Sequence, residues 1–269
     1  MWKKSSIALL ITLILYTFNS LAAADDSVWE KIKTDHFADA IIHENTSDLL
    51  LIQVPKKVED AAIVPIKITS LMAQSDQHHI KKLYLFIDNN PAPHAATFHL
   101  SPTFATSGSI NIATRIRIDS FSHVRVIAEM NDGSLHMNSR FVIASGGCST
   151  PSQRKQETSI SGERIKVRLN RNTADQSIKT RLLINHANAS GLQFDQITGQ
   201  YIPAHYVTSI NIDYNNKLLI NAETGISISE NPSIGFSFKP AENGILTIKV
   251  MDSKKQEFFK STKVEQPAS

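Results

Sequence analysis

The sequence predicts an all-β protein with two β-sandwich domains in tandem, opened by one short helix. Short apolar runs with a two-residue alternation recur along most of the chain, and clusters of Gly, Pro, Asn and Asp separate them. No helical period interrupts them after residue 37. The chain has 269 residues, of which 41% are hydrophobic, which is enough for two domains of ordinary size.

The first 24 residues have the pattern of a signal peptide. Lys3 and Lys4 are followed by an apolar run over 7–18 and by small residues at 22–24. Such a run is short for a membrane span, so cleavage is favoured over a retained anchor. We therefore expect a signal peptide over 1–24 and an exported mature protein with no membrane span.

The helix and the first sandwich are predicted over residues 25–144. Ser27 and Glu30 have the spacing of a capping box, and Trp29, Ile32 and Phe37 follow on one helical face. The segment 131–134, Asn-Asp-Gly-Ser, is a strong hairpin signal between two of the apolar runs. The predicted strands are 49–54, 63–69, 83–87, 110–118, 124–130 and 135–143.

A polar segment separates this domain from a second predicted sandwich over 160–269. Residues 145–159 contain Gly146, Gly147 and Pro151 with a polar run and almost no apolar side chains, which is typical of a linker. The strands predicted beyond it are 165–169, 178–184, 207–214, 217–221, 226–228, 234–238, 246–250 and 258–264.

Charge and motifs exclude several functions. The formal net charge is +3, and Lys3 and Lys4 supply two of those charges, which argues against a nucleic-acid partner. The ten histidines, among them His186 and His205, show no metal-ligand spacing and are interpreted as surface or turn residues. Asp252 and the other scattered acidic residues receive no catalytic role. We predict no metal site, no cofactor and no catalytic residues.

Cys148 is the only cysteine, so the chain cannot form an internal disulfide. Gly146 and Gly147 precede it and a polar stretch follows, which predicts a thiol exposed on a flexible arm with the glycines as hinge. Such a thiol should have a pKa near about 8.5 and be poorly activated. It would suit a handle that other enzymes load and unload. The alternative is an incidental or dimerising cysteine.

Several stretches of the sequence resemble the two subunits of the SoxYZ sulfur carrier. The stretch 141–148, Phe-Val-Ile-Ala-Ser-Gly-Gly-Cys, is similar to the end of SoxY, and SoxZ-like stretches follow in the second half. The supporting SoxY-like stretches are 59–66, 89–96 and 114–117, and the SoxZ-like ones are 164–169, 190–192, 198–207, 214–217 and 229–233.

The resemblance implies two immunoglobulin-like sandwiches in contact, with a cysteine on a swinging arm. The fused order is similar to SoxYZ-like carriers associated with quinoprotein dehydrogenase systems. In the sulfur-oxidation members the cysteine lies in a terminal Gly-Gly-Cys-Gly-Gly, whereas Ser149, Thr150 and Pro151 follow it here. An internal cysteine has to enter a partner as a loop, so the partner's cleft should be open or wide.

The sequence thus favours a non-catalytic periplasmic carrier that holds a sulfur-containing group, as a thiosulfonate or persulfide, on Cys148. Its partners would be sulfur-oxidation or quinoprotein dehydrogenase-system enzymes. One alternative is a binding or assembly module without thiol chemistry, and another is an enzyme with Cys148 as nucleophile. The carrier hypothesis requires that Cys148 lies on a flexible tether where partner enzymes can reach its sulfur, and a sulfur sealed beneath side chains on an ordered backbone would contradict it.

Overall fold

The computed structural model describes residues 27–150 and 163–266. Helix α1 spans 27–37, where the capping box predicted a helix. Within this helix, Lys33 Nζ and Glu30 Oε2 lie 3.8 Å apart and form an ion pair. No helix in the described ranges is long and apolar enough to cross a membrane. The predicted signal peptide lies outside the described residues.

Eight strands and one short helix follow in the first half of the chain. Helix α2 spans Pro102–Thr106 and is capped at its N-terminus by Ser101, whose hydroxyl accepts a hydrogen bond from the Phe104 amide. The strands are β1 Ile42–His43, β2 Leu50–Gln53, β3 Val64–Ser70, β4 Ile80–Ile87, β5 His94–Leu100, β6 Asn111–Ile116, β7 Ser122–Met130 and β8 Leu135–Val142.

The second half contains nine strands in the described range. Most coincide with a predicted run, although 226–228 forms a turn with a single bridge from Ile228 to Ile116. The strands are β9 Ile165–Asn172, β10 Ser177–Ile184, β11 Phe194–Asp195, β12 Gln200–Tyr201, β13 Val207–Tyr214, β14 Lys217–Thr224, β15 Ser233–Phe238, β16 Gly244–Asp252 and β17 Glu257–Val264.

The strands of the two halves join into the same two large sheets. The nine-stranded sheet has the order β1-β8-β7-β4-β5-β14-β13-β16-β17, and the six-stranded sheet has the order β2-β3-β6-β15-β10-β9. Strand β5 pairs antiparallel with β14, with Phe98 opposite Ala222. Strand β6 pairs antiparallel with β15, with Ile112 opposite Phe236. Main-chain hydrogen bonds therefore connect the halves in both layers.

One hydrophobic core fills the space between the sheets across both halves. Ile112 and Phe98 from the first half and Ile212 and Phe236 from the second are each at most 2% exposed. The predicted all-β class, with sandwich domains and a short N-terminal helix, is confirmed. The sequence predicted contact between the halves but not that they would share sheets, and the residue limits of the domains stay a prediction.

Candidate functional site at Cys148

The segment that carries Cys148 follows strand β8 and lies against the chain just after strand β6. The Gly146 amide donates to the Asp119 carbonyl at 2.6 Å, and the Gly147 amide donates to the Ile118 carbonyl at 3.0 Å. The Cys148 amide donates to Asp119 Oδ1 at 3.3 Å. Three consecutive amides are therefore satisfied by two residues, so the expected free arm is docked in this conformation.

The two glycines serve this docking. At Gly147 a Cβ atom would lie 2.6 Å from the Ile118 carbonyl oxygen and would also collide with the Ala61 carbonyl oxygen. Gly146 has a φ of +77°, in the left-handed region that favours glycine. The sequence assigned both residues to a hinge, but here Gly147 permits a close backbone contact.

The thiol of Cys148 is sealed from solvent, since the residue is 1% exposed. Burial raises the pKa of the Cys148 thiol to about 12; the Asp119 carboxylate raises it further and the Arg117 guanidinium opposes the shift. The expectation of an exposed thiol with an ordinary pKa is wrong. The polar sequence around Cys148 predicted exposure, but residues distant in sequence cover it.

One of the covering residues comes from the second half of the chain. The hydroxyl of Ser190 donates a hydrogen bond of 2.6 Å to the Cys148 carbonyl oxygen, and it accepts one of 3.2 Å from the Leu192 amide. Ser190 is itself only 3% exposed. The site at Cys148 therefore includes residues of both halves.

Arg117 lies at the same junction and is only 1% exposed. Its Nη1 atom donates to the carbonyls of Ile226 and Ile228 at 3.0 and 2.5 Å, while Nε has no hydrogen-bond partner. Desolvation lowers the pKa of Arg117, and the charges of Cys148 and Glu230 offset part of that shift. A guanidinium ion is thus buried near the thiol.

Asn90 connects the same elements through its side-chain amide. Its Nδ2 atom donates to the Arg117 carbonyl and to Ser227 Oγ, both at 2.9 Å, and its Oδ1 atom accepts from the Asp119 amide at 2.8 Å. Asn90 therefore fixes the strand end on which Cys148 docks.

A second polar cluster lies in the second half and holds the loop that leads to Ser190. Asp252 Oδ2 lies 2.7 Å from His205 Nε2 and 3.5 Å from His186 Nε2. His186 is 4% exposed, so its interpretation as a surface or turn histidine is wrong. Desolvation, followed by the nearby His205, lowers the pKa of His186.

The ligand atoms of this cluster lie within 4.8 Å of one another, close enough to consider a metal ion. The Asn188 amide, however, donates to His186 Nδ1 at 2.9 Å, so in neutral His186 the proton is on Nε2. A metal at Nε2 would require that proton on Nδ1 and would break this hydrogen bond. The donor set does not fit a metal ion without rearrangement, and we interpret the cluster as a hydrogen-bonded support for the loop.

The fold and this site define a protein with two joined β-sandwiches and one thiol at their junction. A family model for sulfur oxidation protein SoxY matches residues 34–148, and one for sulfur oxidation protein SoxZ matches residues 165–263. The chain therefore belongs to the SoxY and SoxZ families, with one match to each in the same chain. We call the two matched parts the SoxY half and the SoxZ half.

Solved structures show weaker likenesses. The sulfur carrier protein SoxY from Chlorobium limicola f thiosulfatophilum is 20% identical, with a TM-score of 0.36, and the match covers 45% of this chain and 99% of that one. A superoxide reductase (neelaredoxin) from Ignicoccus hospitalis is 12% identical, with a TM-score of 0.32, over 38% of this chain and 93% of that one. No curated protein matches the chain significantly. The family assignment rests on the two family models.

Sequence reasoning identified Cys148 but missed the residues that enclose it. Ala61, Asn90, Arg117 and Ser190 were noticed only as parts of stretches that resemble the two families. The structure brings these stretches together around the Cys148 segment. The occurrence of all these family-like stretches in one chain was the signal that could have indicated a site built from both halves.

Proposed function

We propose that this protein is a periplasmic carrier that holds a sulfur-containing group covalently on Cys148 and presents it to partner enzymes. The observation that carries the proposal is the position of the only cysteine at the last residue matched by the SoxY family model. The family supports a sulfur-carrier role. The periplasmic location, which agrees with the leader-like N-terminus, and the link to a quinoprotein dehydrogenase system are our own extensions.

The buried sulfur and docked segment of Cys148 contradict the hypothesis of a permanently exposed arm, so such a carrier would have to alternate between a closed and an open state. Opening would break the hydrogen bonds from the amides of Gly146, Gly147 and Cys148 and the one from Ser190. At about 1 kcal/mol net for each bond, opening would cost about 4 kcal/mol, which corresponds to roughly one open molecule in a thousand. Gly146 and Gly147 would act as the hinge of this motion.

The closed state would also keep the thiol unreactive. With a pKa raised to about 12, the Cys148 thiol is almost entirely protonated at neutral pH, and the thiolate is the nucleophile. Partner enzymes would therefore load only the open state. The carrier would resist adventitious oxidation while it is closed.

Loading from thiosulfate illustrates what a partner has to supply. Formation of an S–S bond between Cys148 and the outer sulfur of thiosulfate gives a Cys-S-S-SO₃⁻ adduct, and releases the thiol proton and two electrons. The partner enzyme must accept those electrons through an oxidising redox group of its own. The carrier would contribute the sulfur atom and its reversible exposure.

A second candidate is a binding or assembly module without thiol chemistry. The sealed, weakly acidic thiol favours this alternative, since a structural buried cysteine has these properties. In that case the function of the protein would reside in its surfaces, and Cys148 would serve as a small apolar side chain of the junction.

Intact-mass spectrometry of protein isolated from its native compartment distinguishes the two. The carrier predicts a mass increase that matches sulfur or a sulfur oxyanion, is removed by reductant and is missing in Cys148→Ala. An unmodified mass in wild-type protein under sulfur-oxidising growth, or the same adduct on Cys148→Ala, contradicts the carrier. Equal binding of a partner dehydrogenase by both forms without any adduct would favour the assembly module.

A further inference from the structure

The outward face of the six-stranded sheet forms a groove where the SoxY and SoxZ halves meet. Registers place Lys67 opposite Ala113, Ala113 opposite Gly235, and Gly235 opposite Arg181, in one row across β3, β6, β15 and β10. The two central positions carry the smallest side chains, so the middle of the sheet surface is low and its sides are high. The groove has a volume of about 690 Å³.

The sides of the groove are positively charged. Lys67, Lys179 and Arg181 are exposed and Arg115 is half-buried, and no carboxylate is among the residues that line the groove. Within 27–150 and 163–266, none of Lys67, Lys179 and Arg181 takes part in an ion pair. Arg168 extends the row beyond Arg181 on strand β9. Lys67, Lys179 and Arg181, three cations without an ion pair in the described ranges, face this concave surface, raise its positive potential and attract an anion.

The spacing of these cations indicates the size of the anionic ligand. Lys67 and Arg181 lie three strand spacings apart, which is about 14 Å. A single small oxyanion would occupy only part of such a groove, whereas successive carboxylates of a polypeptide can fill its width. A flat bilayer cannot reach the low floor at Ala113 and Gly235. The chain's own segment 151–162 has two cations, Arg154 and Lys155, and one carboxylate, Glu157, so its net charge is not complementary to a positively charged groove.

We propose that this groove, defined by Lys67, Arg115, Lys179 and Arg181, docks a protruding acidic segment of a partner protein. The apolar floor would take side chains between the carboxylates, and the cations on both sides would fix the direction of the segment. Arg115 lies two residues from Arg117, so a docked partner would lie close to the Cys148 segment. The docking does not depend on thiol chemistry and stands apart from the carrier proposal.

The test measures binding of a fluorescein-labelled poly-glutamate peptide of about ten residues to the full mature chain. Binding is measured by fluorescence anisotropy at about 50 mM salt, because charge interactions are weakly screened there. We expect saturable binding that weakens at about 300 mM salt. The variant Lys179→Glu/Arg181→Glu should bind at least about fivefold more weakly, since two of the three exposed cations that line the groove are reversed. The neutral variant Lys179→Gln/Arg181→Gln should show a smaller loss and guards against misfolding of the first.

The matched control is Lys217→Glu/Lys263→Glu, which makes the same change in net charge at exposed lysines outside the groove. It should bind the peptide within about twofold of wild type, since its charges lie outside the groove. No binding by wild type, or an equal loss in both charge-reversal variants, overturns the proposal. Displacement of the peptide by sulfate at constant ionic strength would indicate a small-anion site instead. Groove-dependent binding of phosphatidylglycerol vesicles without peptide binding would indicate that the groove binds a membrane surface. Either the sulfate result or the vesicle result overturns the proposed peptide docking.

Discussion

The hydroxyl of Ser190 in the SoxZ half donates a hydrogen bond of 2.6 Å to the carbonyl oxygen of Cys148, at the end of the SoxY half. Because this carbonyl belongs to the residue that carries the thiol, the second half directly stabilises the closed state. In a fused chain both partners of the bond are always present. If the site opens as proposed, closure would be an intramolecular equilibrium that a partner enzyme could shift.

Removing the Ser190 hydroxyl should open the site more often. In Ser190→Ala the buried Cys148 carbonyl loses its partner, which should cost about 1–2 kcal/mol and speed thiol labelling by roughly tenfold. The measurement is the rate of iodoacetamide labelling of native protein at pH 8. Ser70→Ala is the control, because Ser70 is also buried and donates to a carbonyl, that of Met72. Equal acceleration in both variants would mean that lost stability, and not the bond to Cys148, controls access.

A side chain at Gly147 should block docking of the segment. The added Cβ of Gly147→Ala would overlap the carbonyls of Ile118 and Ala61, so the closed state should be lost while the sheets remain. We expect labelling of Cys148 to approach the rate of a free thiol, with an unchanged far-ultraviolet circular dichroism spectrum. Gly199→Ala, at an exposed turn with no atom within 4 Å of the added Cβ, is the control for adding a methyl group that meets no neighbour. Slow labelling in Gly147→Ala would show that the contact at Gly147 does not limit opening.

The raised pKa of Cys148 predicts that stability falls at alkaline pH. The unfolded thiol ionises above about pH 8.5, whereas the native thiol stays protonated until about pH 12. Between these values the unfolded state binds fewer protons, so the free energy of unfolding should decrease by up to about 1.4 kcal/mol per pH unit. Urea unfolding of wild type and Cys148→Ala at pH 8, 9 and 10 isolates this effect. Parallel pH dependence of the two proteins would mean that the native thiol ionises normally.

Arg117 should be a main determinant of the junction between the halves. Arg117→Met would leave the carbonyls of Ile226 and Ile228 without these donors, which should lower the free energy of unfolding by about 2–4 kcal/mol. Arg140→Met, at an exposed arginine, should change it by less than about 0.5 kcal/mol. Urea unfolding followed by fluorescence gives both values. A change below about 0.5 kcal/mol in Arg117→Met would contradict a structural role for this side chain.

Alternation in the sequence was sufficient for most strands but not for β5, one of the strands through which the two halves pair. Strands such as β3 have one core-facing and one solvent-facing side, so Val64, Ile66 and Ile68 alternate with polar or exposed residues. Strand β5 lies in the middle of the nine-stranded sheet, and Ala95 through Phe98 are all buried. Without an exposed face it has no alternation, and it was not predicted as a strand. The pairing of β5 with β14 was therefore not predicted. Strands β6 and β15 were predicted, but nothing in their sequences indicated that they would pair with each other.

The state of Cys148 could not be predicted from its neighbours in sequence. Ser145, Gly146 and Gly147 are small or polar and indicated exposure, yet Ala61, Ile118 and Ser190 contact the backbone of the Cys148 segment from distant parts of the chain, and the thiol is buried. These contacts depend on how strand ends of both halves meet. Family-like stretches correctly marked several of these residues, although no local pattern showed that they meet at one site.

The most direct test of a reversible closed state measures how the labelling rate of Cys148 in folded wild-type protein depends on urea. This urea dependence is compared with that of global unfolding. We predict labelling roughly a thousandfold slower than that of an unfolded thiol, at a rate much less sensitive to urea than global unfolding is, because only the four hydrogen bonds of the segment have to break. Labelling that occurs only through global unfolding, with the full urea dependence, would contradict a closed state that opens reversibly to receive its cargo.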